Sequence, residues 1–408
     1  MAVLLIGTLD TKGTEIAFIR DLLHRSGIST LVIDAGVIGG PSFAADINRE
    51  AVFAAAGSSL AEMQKLEDRG RAITLAADGV ARIARKLDGD GRIEGILGLG
   101  GSAGSTIASS AMRIVPYGVP KLLISTLASG QVAHYVGVRD IMMMHSVVDL
   151  CGLNRVSRVI LSNAASAMIG MVNNRKANLE NQQLEHDKPL VAASMFGVTT
   201  PCVENAKRLL EASGYEVLVF HATGTGGRTM EAMIQDGLIA GVLDMTTTEL
   251  ADELVGGILS AGPERLTAAA SRGIPQVISL GALDMVNFGP RDTVPTRFSD
   301  RRFYQHNDNV TLMRTTPEEN DSLGKEIVQK ACAARGPTAV LAPLKGVSAI
   351  DKEGAPFWWP EADAALFQSI RNWIGPTAHL VELDLHINDP DFSQAAAKML
   401  LKMMDVHR

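Results

Sequence analysis

The chain repeats itself, and this repeat constrains the fold more than any other feature. Without a gap, Arg20 to Gly40 (RDLLHRSGISTLVIDAGVIGG) lies over Lys207 to Gly227 (KRLLEASGYEVLVFHATGTGG), matching Leu22 with Leu209, Leu23 with Leu210, Ser26 with Ser213 and Gly27 with Gly214. The same frame matches Leu31 with Leu218, Val32 with Val219, Ala35 with Ala222, Gly39 with Gly226 and Gly40 with Gly227. Further along, YGVPKLLIST (Tyr117 to Thr126) answers RGIPQVISLG (Arg272 to Gly281). An apolar helical face, a glycine stop and a short apolar run make a helix, turn and strand. Strands covered on both faces lose alternation and become continuous Val, Ile and Leu. VLLIG, EGILGLGG, KLLIS, PLVAAS, AGVLDM and TAVLAP read the same way. The predicted fold class is therefore α/β, as two tandem Rossmann-like domains with mainly parallel sheets, arising by internal duplication.

At 408 residues the chain exceeds the usual limit of a single core. The polar stretch Asn173 to Lys188 marks the join, as the solvated end of a long helix from near Arg155 followed by a linker, giving one Rossmann-like domain over 1–182 and a second over 183–408. A second helix is expected from Asp391 to the C-terminus.

The net charge of −7 argues against a nucleic-acid surface. Three unpaired cysteines argue against a disulfide framework or structural zinc. The start MAVLLIGTLDTKG has neither a basic leader nor a membrane-length apolar run, so the expected setting is cytoplasmic, with no membrane association.

Strand ends carry the candidate chemistry. In GTLDTKGTE (Gly7 to Glu15), a strand gives way to a helix through Asp10, Thr11, Lys12 and Gly13. Ligands sit at this edge of open α/β sheets, and helix amino termini attract anions. Asp10 is the candidate metal ligand and Lys12 the candidate phosphate partner; the alternative is that Asp10 or Thr11 caps the helix and Lys12 is solvated. GLGGSAGST (Gly98 to Thr106) is the strongest phosphate signal, with Gly100, Gly101 and Gly104 letting backbone N–H groups approach an anion and Ser102, Ser105 and Thr106 adding hydroxyls. It lacks the Gly-Lys-Ser/Thr ending of a Walker A loop, and Ala103 breaks the dinucleotide fingerprint. A mononucleotide or phosphorylated ligand is thus expected rather than NAD, close helix–strand packing being the alternative. Asp34, ending the second strand, is a candidate ribose contact or turn cap, while Ser125 and Ser129 in STLASG are candidate lining hydroxyls. His145 and Asp149, in MMMHSVVD, stand at helical spacing.

In the second half, His221 takes the place of Asp34 and opens HATGTGGRTME, another glycine-rich turn able to hold an anion, beside Arg228. DMTTTELADEL reads as a capping-box start, Thr246 with Glu249. His221 and His306 are the candidate acid/base groups, and Arg228 or Lys345 the candidate anchors for a small anionic substrate at an interdomain cleft.

GTLDTKGTE, GLGGSAGST, HATGTGGRTME, GALDMVNFGP, RRFYQHN and PLKGVSAID, in this order, resemble the Tm-one-like ATP-binding family of bacterial and fungal proteins. The resemblance implies two Rossmann-like subdomains, a homodimer, and ATP with Mg2+ in the first subdomain. Carried over by position, it places the nucleotide on Asp10 to Gly13 and Gly100 to Thr106, with Asp34 and Ser125 to Gly130 nearby. Two functional expectations follow. One is a metabolic enzyme or enzyme component acting on a small anionic metabolite; the other is a non-catalytic ATP-responsive module that engages a protein partner.

Overall fold

The computed structural model describes residues 1–66, 68–182 and 188–407, and the chain divides into two compact units, Met1–His186 and Asp187–Arg408. The expected join borders residues 183–187, which lie outside the described residues.

The first unit is built on five parallel strands, β1 (Ala2–Gly7), β2 (Thr30–Asp34), β3 (Ile93–Gly100), β4 (Lys121–Ser125) and β5 (Met142–His145), in the order β2-β1-β3-β4-β5. Parallel pairing needs crossovers, and helices cover both faces. Alternate residues of each strand serve opposite cores. Leu4, Ile6, Ile33, Ile96 and Leu123 pack under the helices Arg49–Ala55, Arg69–Gly89 and Ser102–Ile114. Val3, Leu5, Val32, Leu97 and Ile124 pack under Gly13–Arg25 and Arg155–Gln182. The long helix from Arg155 is as expected. MMMH, however, is the edge strand β5, so His145 and Asp149 do not share a helix face.

The second unit repeats the plan. Its parallel strands β6 (Leu190–Met195), β7 (Glu216–His221), β8 (Ile239–Thr246), β9 (Gln276–Gly281), then β13 (Thr338–Pro343) and β14 (His379–Leu383) run in the order β14-β13-β9-β8-β6-β7. Between β9 and β13 lies a three-stranded antiparallel sheet of β10 (Met285–Phe288), β11 (Phe303–Asn307) and β12 (Val310–Arg314), with β12 central. RRFYQHN belongs to this insertion. The C-terminal helix, Pro390–His407, packs with Thr200–Ala212 over Val191, Leu243, Val277 and Leu341.

The sequence repeat coincides with equivalent structure. Arg20–Gly40 and Lys207–Gly227 supply the second strand of each sheet, and the two proline-containing stretches supply the fourth. Pro120 accepts the N–H of Ile96 at 2.8 Å, and Pro275 accepts that of Val242 at 2.9 Å, joining third and fourth strands alike in both halves.

Candidate functional site

In the first unit the chain turns to one side of β1 to make β2 and to the other side to make β3. Loops leaving β1 and β3 consequently diverge and open a crevice at the carboxyl edge, the usual ligand position in such sheets. A cavity of about 840 Å³ lies there, lined by Thr8, Asp10, Thr11 and Lys12 after β1 and by Gly100, Gly101, Ser102, Ala103 and Gly104 after β3. Ala35, Val37, Met63, Ala72, Ile73, Ala76 and Ile107 give it an apolar wall.

Two helix amino termini open on this cavity without side-chain caps. Lys12 precedes Gly13–Arg25 without a side-chain bond to the first turn, and Gly101, which precedes Ser102–Ile114, has no side chain to make one. The amides of Ser102, Ala103 and Gly104 thus keep the donor capacity that a cap would take up. A third helix, Arg69–Gly89, is capped by Asp68, whose side chain accepts the N–H of Arg71 at 3.0 Å. Gly104 has a steric reason: a Cβ there would stand 2.8 Å from the Leu99 carbonyl oxygen, whereas one on Gly101 meets only Thr126 Oγ1, at 3.7 Å.

Asp10, Thr11, Lys12, Gly100, Gly101, Ser102 and Gly104 therefore come together, and the other first-unit candidates stand around them. Gly13 packs on Ser42. Ser105 is buried beneath the loop, its Oγ 2.7 Å from that of Ser125, which accepts the N–H of Leu127 at 3.0 Å. These two hydroxyls brace neighbouring loops. Thr106 returns its hydroxyl to the Ser102 carbonyl, and Ser129 is exposed on the turn after β4.

Asp34 is buried and committed internally. It accepts the N–H groups of Leu9 and Gly36, both at 2.9 Å, and pairs with Arg49 at 2.8 Å. Its role is to tie the loops after β1 and β2, as a turn-forming group rather than a cavity wall. Asp10 is similarly engaged: Oδ2 accepts from Val37 (3.1 Å), Ile38 (3.0 Å) and Gly39 (3.4 Å), while Oδ1 has no hydrogen-bond partner. Lys12 is half-buried, and its ammonium donates to the Leu150 carbonyl.

The second unit fills the matching positions with its own side chains. The turn at Gly224 to Gly227 holds an anion, but that anion is Glu249: Oε1 accepts the N–H of Gly224 at 2.7 Å and of Gly227 at 3.0 Å. Glu249 Oε2 pairs with Arg265 at 2.7 Å, and Arg265 also grips Asp244 and Glu231. Burial disfavours the Arg265 charge, yet Asp244, then Glu249 and Glu231, outweigh it and raise its pKa. Burial raises Glu231 in turn. The expected capping box is thereby overturned, because Thr247 rather than Thr246 precedes the helix Thr248–Val255 and no side-chain cap forms. Thr246 instead meets the Thr199 hydroxyl at 2.7 Å.

His221, Arg228, His306 and Lys345 are all exposed, each with separate neighbours. His221 lies against Phe196, Arg228 reaches the Ser260 carbonyl at 3.3 Å, His306 sits on the edge strand β11, and Lys345 pairs with Asp384 at 2.9 Å. Sequence reasoning pointed to Asp284 but did not assemble the buried cluster at the ends of β9 and β13, where Arg314 faces Asp351 and Asp363 and Ser348 donates to Asp284. Burial, reinforced by Asp351, pushes both Asp284 and Asp363 upward. Asp284 and Asp351 are visible in GALDM and SAID; their convergence with Arg314 and Asp363 is not. Among the described residues, no group of three or more His, Cys, Asp and Glu side chains could hold a metal ion, and no helix is long and apolar enough to cross a membrane.

Two family models divide the chain much as the fold does. Residues 1–177 match the N-terminal domain of Uncharacterised protein family (UPF0261), and residues 188–404 match its C-terminal domain. The chain belongs to the UPF0261 family. A UPF0261 protein of Clostridium tetani is 51% identical over 99% of both chains, and one of Rhizobium meliloti is 45% identical over 96% of both. The tomato (Solanum lycopersicum) ToMV resistance protein Tm-1(GCR237) is 43% identical across 82% of this chain and 45% of its own length. The expected family relationship to Tm-1 proteins therefore holds, as does the fold class, although this chain spans under half of the tomato protein.

Proposed function

We propose that this UPF0261 protein binds ATP with Mg2+ in the carboxyl-edge cavity of its first unit. The observation that carries the reading is the uncapped N-terminus of Ser102–Ile114, opening from a glycine-rich turn onto a cavity of nucleotide size. Phosphates would face the amides of Ser102 to Gly104, and a base would lie on the apolar wall of Met63, Ala72, Ile73 and Ile107. The unpartnered Oδ1 of Asp10 offers one protein oxygen to Mg2+. Such an ion takes its remaining ligands from phosphate oxygens and water.

Isothermal titration with ATP and Mg2+, beside NADH, tests the assignment. Saturable ATP binding with weak or absent NADH binding is expected; a clear preference for NADH overturns it. Whether binding is coupled to turnover of a small anionic metabolite, the enzyme reading, is tested by ADP release against a metabolite panel. Absence of ADP release under every condition favours the ATP-responsive module. A homodimer is part of the same proposal and is tested by light scattering in solution.

A further inference from the structure

Lys12 stands on the cavity wall, yet its charge is turned to a neighbouring loop. The ammonium donates to the carbonyl of Leu150, and three residues along the adjoining helix Glu15 Oε1 accepts the N–H of Gly152 at 2.7 Å. Two charged side chains of one loop–helix junction thus hold the segment Ser146–Gly152, which follows β5. The same segment reaches the cavity through Asp149.

This segment is held in an unfavourable shape. Val147 has φ of 63°, in the left-handed region that a β-branched residue rarely enters, and the residue is 66% exposed. Strain of this kind persists only where neighbouring contacts impose it, and it gathers at switch regions. Here Ser146 supplies one tie through its N–H to the Ser125 carbonyl (3.2 Å), Lys12 and Glu15 supply two more, the Ser157 hydroxyl donates to the Gly152 carbonyl at 3.3 Å, and the Leu150 side chain is buried in the core.

We infer that Ser146–Gly152 is a strap latched by Lys12 and released when a phosphate-bearing ligand enters the cavity. The inference rests on the proposed nucleotide site for its trigger, but not for the latch. A phosphate oxygen is a charged acceptor and competes with the neutral Leu150 carbonyl for the same ammonium. Once Lys12 turns to phosphate, Leu150 loses its partner and Val147 is free to leave the left-handed region. Ligand occupancy is thereby converted into a change at the edge beyond β5.

Hydrogen–deuterium exchange of peptides spanning Ser146–Gly152 tests both halves in the full chain. Lys12→Met should raise exchange there severalfold without ligand, and Lys12→Arg, which keeps a donor, should largely restore protection. In the parent, saturating ATP with Mg2+, and pyrophosphate separately, should raise exchange in the same peptides, with occupancy measured independently by calorimetry. Unchanged exchange in Lys12→Met, in a variant whose melting curve matches the parent, overturns the latch. Bound ligand with unchanged or slower exchange overturns the release while leaving nucleotide binding intact. Failure of both ligands to bind removes the trigger and overturns the inference together with the nucleotide reading.

Discussion

Glu249 Oε1 receives the backbone N–H of Gly227 at 3.0 Å. The first unit closes its own glycine turn in a comparable way, for Asp10 Oδ2 receives the N–H groups of residues 37–39. The matching turns of the repeat therefore each surround a carboxylate of the protein, with Val37 and Gly224 donating at equivalent positions. That carboxylate comes from the loop after β1 in one half and from the helix after β8 in the other, whereas the amino terminus of Ser102–Ile114 after β3 receives no side-chain cap.

Removing the internal carboxylate should be costly. Glu249→Ala leaves Arg265 with two of its three acidic partners and two buried amides without an acceptor. Loss of one member of a buried ion pair typically costs about 3–5 kcal/mol. Urea unfolding should show a loss of that order, with Glu249→Gln retaining part of it; an unchanged midpoint would contradict the assigned role.

Glycine substitutions separate shape from phosphate contact. Gly104→Val places a Cβ against the Leu99 carbonyl and displaces the first turn of Ser102–Ile114, so ATP affinity should fall at least about tenfold, a loss of about 1.4 kcal/mol. Gly101→Ala meets only ordinary contact and should stay within about threefold of the parent. Calorimetric titration of both variants decides the matter, and equal effects would argue against this geometry.

Stability should depend on pH through Asp252. Burial raises its pKa to about 7, against hydrogen bonds from Asn287 and Leu259 that lower it. An unfolded aspartate titrates near ~3.9, so between that value and about 7 the folded state holds the extra proton. Its stabilising contribution is full below the lower value and is lost as pH rises through the upper one, at up to ~1.4 kcal/mol per pH unit. Chemical denaturation of parent and Asp252→Asn at pH 5 and pH 8 should show a smaller fall for the variant. A parallel response would exclude Asp252 as a source.

His221→Ala should leave ATP affinity within about twofold, because His221 is exposed in the second unit at the end of β7 and the cavity belongs to the first. The same variant tests the enzyme reading by ADP release. A large loss of ATP affinity in this folded variant would place the nucleotide elsewhere.

Much of the architecture was legible because burial on both sheet faces writes itself as continuous apolar runs. VLLIG, GILGLG and TAVLAP became central strands, and the unbroken match of residues 20–40 with 207–227 correctly announced two related sheets. Short or amphipathic segments misled. MMMHSVVD has the spacing of a helix face, but hydrogen bonding to β4 makes its first half an edge strand. The antiparallel insertion also escaped notice, since FYQHN pairs with VTLMR through backbone groups that side-chain pattern hardly records.

Sequence by itself determined the central parallel strands, the repeated plan and the glycine-rich loop after β3, since these depend on local conformational preference and on which residues avoid water. Only the tertiary structure decided which donors and acceptors remained unspent. Asp34 met Arg49, Glu249 met Gly227 and Lys12 met Leu150 across 15, 22 and 138 residues of chain, respectively. Such partnerships come from three-dimensional closure, because a charged or polar group is satisfied by whatever the fold places within hydrogen-bond reach, not by its neighbours in sequence.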